Sequence, residues 1–387
     1  MAQRTAFDAI IVGAGSVGVP AAWAMALAGL RILVLDGLRS ACQGSNKTAI
    51  GGIRATHSEP AKIRICLRSL EIASTWEDTY GDPIDWRAGG YAFLAYAQSE
   101  AQILQELVVP QQASGLSIAW HDAEELLSII PVLRREGLLG GTFAPGDGIC
   151  SPLLLGHAIY EQARRLGVQF RFGEPVTSVQ LRGDRVHAVI TDRERYATPI
   201  LVNAAGPWAA SVGEMVGLHH PVRPESHEAG ITEPVAPFLQ PMIVDIASSD
   251  GAANCYFFQL PTGQLLFSLT PSPPIPGFDC RETSSFLPAA SRRMIRLVPR
   301  LAGVRVRRTW RGLYPMSPDG SPLVGWSREI NGYLMAIGMC GQGFMLGPGL
   351  GELLARLVSE DGLSSDDRQL LCALSPYRDF ADSERLR

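Results

Sequence analysis

The chain has 387 residues, 46% of them hydrophobic and 19% charged, with 40 glycines and 27 prolines; this exceeds one ordinary core, so an α/β protein of two interleaved domains is expected. A net charge of −4 supplies no electrostatic footprint for nucleic acid. Seven scattered cysteines without a C-x-x-C pair suggest neither a disulfide framework nor a metal centre.

The run from residue 6 to Asp36 reads as strand, glycine turn, helix and second strand. Ala9–Val12 is apolar, and Gly13, Gly15 and Gly18 stand in G-x-G-x-x-G spacing where the strand should become a helix. Gly13 suits the tight turn, Gly15 the approach of a pyrophosphate, and Gly18 the packing of helix on strand. The pyrophosphate would rest on the helix N-terminus. Val19–Leu30 is the expected helix and Ile32–Leu35 the next strand, closed by Asp36, whose carboxylate can accept from a ribose diol and disfavours a 2′-phosphate. Strand, helix, strand and terminal acid agree on an ADP-containing dinucleotide, without separating FAD from NAD. The early entry into a strand leaves no room for a signal peptide, and Arg31 interrupts Val19–Leu35, so no transmembrane segment and a cytoplasmic location are expected.

The polar segment that follows is long for a βα connection, and such loops usually carry function. Its Gly51–Gly52 pair lets the backbone pass a flat ligand, and Arg54 follows as an anion anchor or as a surface arginine. Ala61–Tyr80 has helical spacing, and Trp86–Tyr96 reads as paired strands, the first excursion into a second domain. Helices are expected at Ser99–Ser114, Asp122–Ile130 and Leu153–Leu166, then the strand Val168–Phe172 and a meander over Val176–Leu181 and Arg185–Thr191. Ile200–Asn203 runs into Ala204, Ala205 and Gly206, a second close approach of backbone to ligand, before a helix at Trp208–Val216. From Pro221 to Arg307 the chain reads as a β-sheet with strands at Gly230–Glu233, Met242–Asp245, Cys255–Gln259 and Gln264–Leu269, then a helix at Ala289–Val298. Gly332–Ile337 is a strand, GMCGQGFMLGPG a glycine-rich crossing, and Gly351–Val358 a helix aimed back into it. A helix N-terminus stabilises the negative charge of a reduced isoalloxazine by about 1–2 kcal/mol, which tips the cofactor to FAD. Ser364–Arg368 and the charged end read as solvated tail.

The motifs IIVGAGSVG…LVLD, GGIR, LVNAAGPWA, WRGLYPMSPDGSPLVG and GQGFMLGPGLGE, in this order over the whole chain, resemble the D-amino-acid-oxidase-like (DAO) superfamily of FAD-dependent oxidoreductases. GGIRATHSEPAKIRICLRSLEI is most similar to the β-type subunits of heteromeric sarcosine oxidases, dye-linked L-proline and hydroxyproline dehydrogenases and opine oxidases. The resemblance implies a Rossmann-like FAD-binding domain (1–86, 145–220 and 305–387) interleaved with an antiparallel substrate sheet (87–144 and 221–304). It implies that Gly13, Gly15, Gly18 and Asp36 hold the ADP half, Ser45 and Lys47 the phosphates or loop, and Gly51, Gly52 and Ile53 the isoalloxazine. Val176 would meet the adenine side, Ala205, Gly206 and Trp208 the second contact, and Gly338, Gly341, Gln342, Gly343, Phe344 and Met345 the pyrimidine edge. Three positions depart from relatives: Gly312 stands where monomeric sarcosine oxidases bond the flavin through cysteine, Met345 replaces their lysine, and Gln342 a common histidine. Noncovalent FAD is therefore expected.

The leading expectation is oxidation of an amino acid, a primary or secondary amine, by hydride transfer from the C–H beside nitrogen to flavin N5, with electrons passed to an acceptor other than NAD. Arg54 is the candidate for the substrate carboxylate, and His227, Tyr256 and Gln342 complete the catalytic candidates. His227 reads equally as a structural histidine and Tyr256 as a core aromatic. The alternatives are a non-catalytic FAD-bearing subunit and a 2-hydroxy-acid dehydrogenase. Partner subunits in a hetero-oligomer, and peripheral membrane association through one of them, are left open.

Overall fold

A computed structural model describes residues 7–359, 362–381 and 383–386. The residues before Phe7, read as too few for a signal peptide, lie outside the described residues. A six-stranded sheet runs in the order Leu323–Trp326, Tyr333–Ile337, Leu201–Asn203, Ala9–Val12, Ile32–Asp36, Gln169–Phe172. It is parallel except at the Leu323–Trp326 edge, which pairs antiparallel with Tyr333–Ile337. The central strands are apolar runs because both faces are covered. Ala9, Ile11, Ile32 and Val34 pack into one core with the helices Gly18–Leu27, Pro60–Tyr80 and Gly343–Ser359. Ile10, Val12, Leu33 and Leu35 face the other way, against a three-stranded meander (Val176–Arg182, Arg185–Thr191 and Arg195–Ala197). This is the expected Rossmann-like arrangement.

The second sheet has eight strands in the order Val306–Met316, Arg223–Thr232, Leu265–Pro271, Ala252–Gln259, Met242–Asp245, Tyr91–Ala95, Gly140–Ala144, Ala119–Asp122. It is mixed and not purely antiparallel, since Met242–Asp245 re-enters parallel to Tyr91–Ala95. The helix Phe286–Leu297 covers one face. It is pinned there by a buried ion pair of Arg293 with Asp245 at 2.6 Å.

Four further expectations are corrected. The segment 305–387 divides, because Val306–Met316 is the edge strand of the eight-stranded sheet, paired along Arg223–Thr232. Trp86–Tyr96 is no hairpin; Arg87 makes an isolated bridge to Ile149, and only Tyr91–Ala95 is a strand. The glycine-rich crossing is helical from Gly343, and the stretch read as tail holds the helix Ser365–Ala373, capped by Ser364. Among the described residues no helix is long and apolar enough to cross a membrane.

Candidate active site

A cavity of about 570 Å³ is lined from both sheets. At one end the chain turns at Gly13, with φ of +106°, and a Cβ on Gly18 would fall 1.8 Å from the Gly13 carbonyl oxygen. Gly18 is therefore the packing glycine and is not on the wall, whereas Gly13 and Gly15 are, and a Cβ on Gly15 would point into open space. The helix that follows starts without a side-chain cap or an acidic residue in its first turn, which leaves its N-terminal field to an anion. Asp36 lines the cavity and accepts the Ala14 N–H on Oδ2 and the Leu38 N–H on Oδ1, both at 2.7 Å. Each oxygen keeps a lone pair for a diol.

Val176 and Gly206 also line this part, and a Cβ on Gly206 would again meet nothing within 4 Å. Ala205 lies beside them, and Trp208, 44% exposed, packs at a 30° tilt against Phe278 with ring centres 5.8 Å apart. Ser45 is on the wall, but its hydroxyl donates to the Leu313 carbonyl at 2.6 Å, tying the loop to the strand Val306–Met316. Lys47 is exposed and off the wall, so of the two places expected for it, the phosphates or the loop, it takes the loop; the short helix Ser45–Thr48 turns it outward.

Gly51 and Gly52 line the middle of the cavity, and a Cβ on Gly52 would collide with the Tyr91 hydroxyl at 1.7 Å. Ile53 is buried behind them, paired with Gly148, and does not reach the cavity. Gly312 is on the wall, with Thr48 Oγ1 filling the place of a Cβ at 2.1 Å. At the far end Gly341, Gln342, Gly343, Phe344 and Met345 line the cavity as the helix Gly343–Ser359 begins, while Gly338 only shapes the turn against Ser317. The Gln342 amide oxygen is buried and has no partner among the described residues. Open space at Gly15 and Gly206, an orphaned amide and two helix N-termini form a cradle that fits a dinucleotide.

The same cavity is lined by Arg54, His227, Tyr256, Tyr91 and Tyr314. Arg54 is 7% exposed, sits 5.4 Å from the centre of the Phe93 ring and is held by the chain itself. Its Nη1 donates to the Thr56 carbonyl and to His57 Nδ1, and its Nη2 donates to the Leu386 carbonyl at 2.7 Å. Three of a guanidinium's five N–H groups are thus engaged, and two are left for a ligand. Because arginine only donates, His57 Nδ1 accepts and its proton sits on Nε2, facing Cys66 Sγ at 3.5 Å. His57 is kept neutral by burial and by Arg54 and Lys62, which hold its pKa well below the usual range. Beneath it Asp147, pushed up to about 6 by burial, accepts from the Ala55 N–H and the Thr56 hydroxyl.

His227 stacks on Tyr314 with ring centres 3.7 Å apart. Burial, then Arg311, lowers it to about 3, with the Leu269 backbone pulling weakly the other way, so it is a neutral ring at physiological pH. Neither of its nitrogens makes a well-formed hydrogen bond. Tyr256 and Tyr314 share a hydroxyl bond of 2.9 Å, and burial raises the pKa of both. Arg311 is off the wall and donates to the Arg281 carbonyl at 2.8 Å. Sequence reasoning missed Tyr91 and Tyr314; Tyr314 lies inside the WRGLYP motif, two residues from Gly312, on the same face of its strand.

Residues 8–357 match the family described as FAD dependent oxidoreductase (DAO). The chain is 27% identical to hydrogen cyanide synthase subunit HcnC of Pseudomonas aeruginosa, over 95% of itself and 96% of that protein. Its fold is similar to that of L-proline dehydrogenase from P. horikoshii, with TM-score 0.90 at 27% identity over 97% of this chain and 98% of that one. Glycine oxidase from Geobacillus kaustophilus superposes with TM-score 0.85 at 25% identity over 96% and 99%. Cradle, two-sheet architecture and family match agree: this chain belongs to the DAO family of FAD-dependent oxidoreductases.

Proposed function

We propose that the chain oxidises an amino acid at the C–H beside its nitrogen. The observation that carries this reading is Arg54, a buried cation on the cavity wall with N–H groups left over, set among neutral rings. A carboxylate there gains charge-assisted hydrogen bonds in a water-poor site. His227 and the three phenols offer no anion to an ammonium, and Glu228, also on the wall, has its carboxylate on the Thr283 N–H and hydroxyl at 2.9 and 2.5 Å. The site therefore favours the neutral amine, the form whose C–H gives up a hydride. Bound FAD supplies the hydride acceptor at N5, and the imine produced is hydrolysed by water. The protein's part is to hold the carboxylate, orient the C–H bond and exclude bulk water.

The acceptor in this reading is a dye-like or quinone-like compound and not oxygen. The chain has two lysines; Lys47 points outward and Lys62 is fully buried in an ion pair with Glu384 at 2.7 Å. Neither lysine is a free cation at the flavin, where one would stabilise forming superoxide, and Arg54 is committed to the substrate carboxylate. Peroxide formation keeping pace with dye reduction would contradict this. The similarity to glycine oxidase, L-proline dehydrogenase and a protein named as a subunit supports amino-acid chemistry and a place in a hetero-oligomer.

Anaerobic titration of the chain, purified alone, with glycine, sarcosine, dimethylglycine, L-proline and lactate tests the reading. Bleaching of the flavin by amino acids is expected. Bleaching by lactate alone would point to a 2-hydroxy-acid dehydrogenase, and none at all to a non-catalytic FAD-bearing subunit.

A further inference from the structure

The described C-terminal residues 383–386 form neither helix nor strand, yet Glu384 is 5% and Leu386 1% exposed. Glu384 Oε1 accepts the Ser58 N–H at 2.8 Å, the Ser58 hydroxyl at 2.7 Å and the Leu386 N–H at 3.0 Å. Oε2 receives Lys62 Nζ at 2.7 Å, and both side chains are 0% exposed. Its own N–H donates to the Asp319 carbonyl at 2.8 Å. Leu386 then buries its side chain with Tyr91, Phe93, Met242 and Phe258 under the eight-stranded sheet. Its carbonyl meets Arg54 Nη2 at 2.7 Å, 332 positions along the chain from that arginine. A buried ion pair seldom earns its place by stability alone, because desolvation offsets most of its attraction. Here its geometric result is a carbonyl fixed at the guanidinium of the candidate anchor.

We propose that the C-terminal segment is a positioning element of the substrate site: Lys62 and Ser58 hold Glu384, Glu384 sets the Leu386 carbonyl, and that carbonyl fixes the guanidinium of Arg54 for the substrate carboxylate. The inference rests on the reading of Arg54 as carboxylate anchor. An arginine held by its own chain on both Nη atoms loses little freedom when a carboxylate arrives, so selectivity for amino acids over simple amines is set partly from the C-terminus.

The test uses the FAD-loaded enzyme and three variants: a chain ending at residue 383, the double variant Lys62→Met/Glu384→Leu, and Lys62→Met/Glu384→Gln. The second removes the pin without leaving a lone buried charge, so it carries the test should the truncated chain fail to fold. The third keeps an amide oxygen for Ser58 and for the Leu386 N–H. KM and kcat are measured for the amino acid of the titration panel that bleaches the flavin fastest, and for its decarboxylated amine as substrate or competitor. Kd for the same amino acid is read from flavin absorbance before reduction. In the first two variants KM and Kd for the amino acid are expected to rise about tenfold or more, the loss of one well-placed charged hydrogen bond. The amine, kcat and FAD content stay unchanged, and the Gln variant returns toward wild type. Equal weakening of amino acid and amine, or no change in either, overturns the proposal. Arg54→Ala separates the two claims: if it raises the amino-acid KM and the tail variants do not, only the tail proposal falls. If it leaves KM unchanged, or no amino acid perturbs the wild-type flavin, the anchor reading falls and the tail proposal with it.

Discussion

Arg54 and the glycines of the cavity wall carry the most direct consequences of single side chains. Replacing Arg54 by Ala should cost about 2–5 kcal/mol in amino-acid binding with FAD content unchanged, and replacement by Lys should recover only part, since the charge stays and the fork is lost. A KM ratio between amino acid and decarboxylated amine that Arg54→Ala leaves untouched would place the anchor elsewhere. At Gly341 the φ of +77° and a Tyr314 ring atom 2.2 Å from the place of a Cβ leave no room for Ala. Gly341→Ala should lower FAD occupancy after dialysis and the thermal midpoint together; occupancy equal to wild type would contradict it. The guanidinium's surroundings were not legible in the sequence. GGIR marks Arg54 as close to the ligand, but its partners Thr56, His57 and Leu386 include one from the far end of the chain, which no local pattern reveals.

The opening nucleotide fold was the most legible of the elements, because strand, turn, helix and acid follow one another in sequence and each has a local physical signal. Asp36 there also holds the fold itself: its carboxylate accepts from the Ala14 and Leu38 amides. Asp36→Ala should therefore weaken FAD retention and also lower the thermal midpoint of FAD-free protein, whereas a purely ribose-binding acid would leave the FAD-free midpoint unchanged. The helix Gly343–Ser359 shows why other elements were misread. Its glycines and Pro348 are loop signals by local rules, yet they let helices touch. A Cβ on Gly347 would fall 1.8 Å from the Ser16 carbonyl oxygen, and one on Gly351 or Gly349 would strike the backbone of Pro20 or Ile65 at 2.7 and 2.3 Å. The strand Arg223–Thr232 was expected to begin only at Gly230 because Glu225 to Glu228 are mostly polar. Pairing along Val306–Met316, joined on the other side by Leu265–Pro271 from Glu228 onward, leaves Ser226, His227 and Glu228 buried, and periodicity cannot report that.

The whole molecule carries its polar interior at a pH-dependent cost. His57 is held well below the histidine range, His220 at about 4 and His227 at about 3, each chiefly by burial. Their folded forms refuse a proton that the unfolded chain accepts near pH 6.5, so the stability they contribute is present above that pH and is lost as pH falls. Asp147, raised to about 6, works the other way: it favours the fold below the ordinary aspartate range and loses that contribution as pH rises through 6. Three groups against one predict net proton uptake on unfolding and a lower thermal midpoint at pH 5 than at pH 7; a rise would contradict the burial of these histidines. Gly312, closed off by Thr48, predicts that acid precipitation releases the flavin into the supernatant; colour left in the pellet would show a covalent bond. These measurements probe the framework around the reaction; the proposed reaction itself is breakage of the amino-acid C–H bond at the flavin. It is tested by the anaerobic single-turnover bleaching rate with the fastest amino acid of the panel, compared with the same compound deuterated at the carbon next to nitrogen. A slower rate for the deuterated form, with Kd unchanged, is the predicted result; equal rates, or bleaching by no amino acid, would contradict the account.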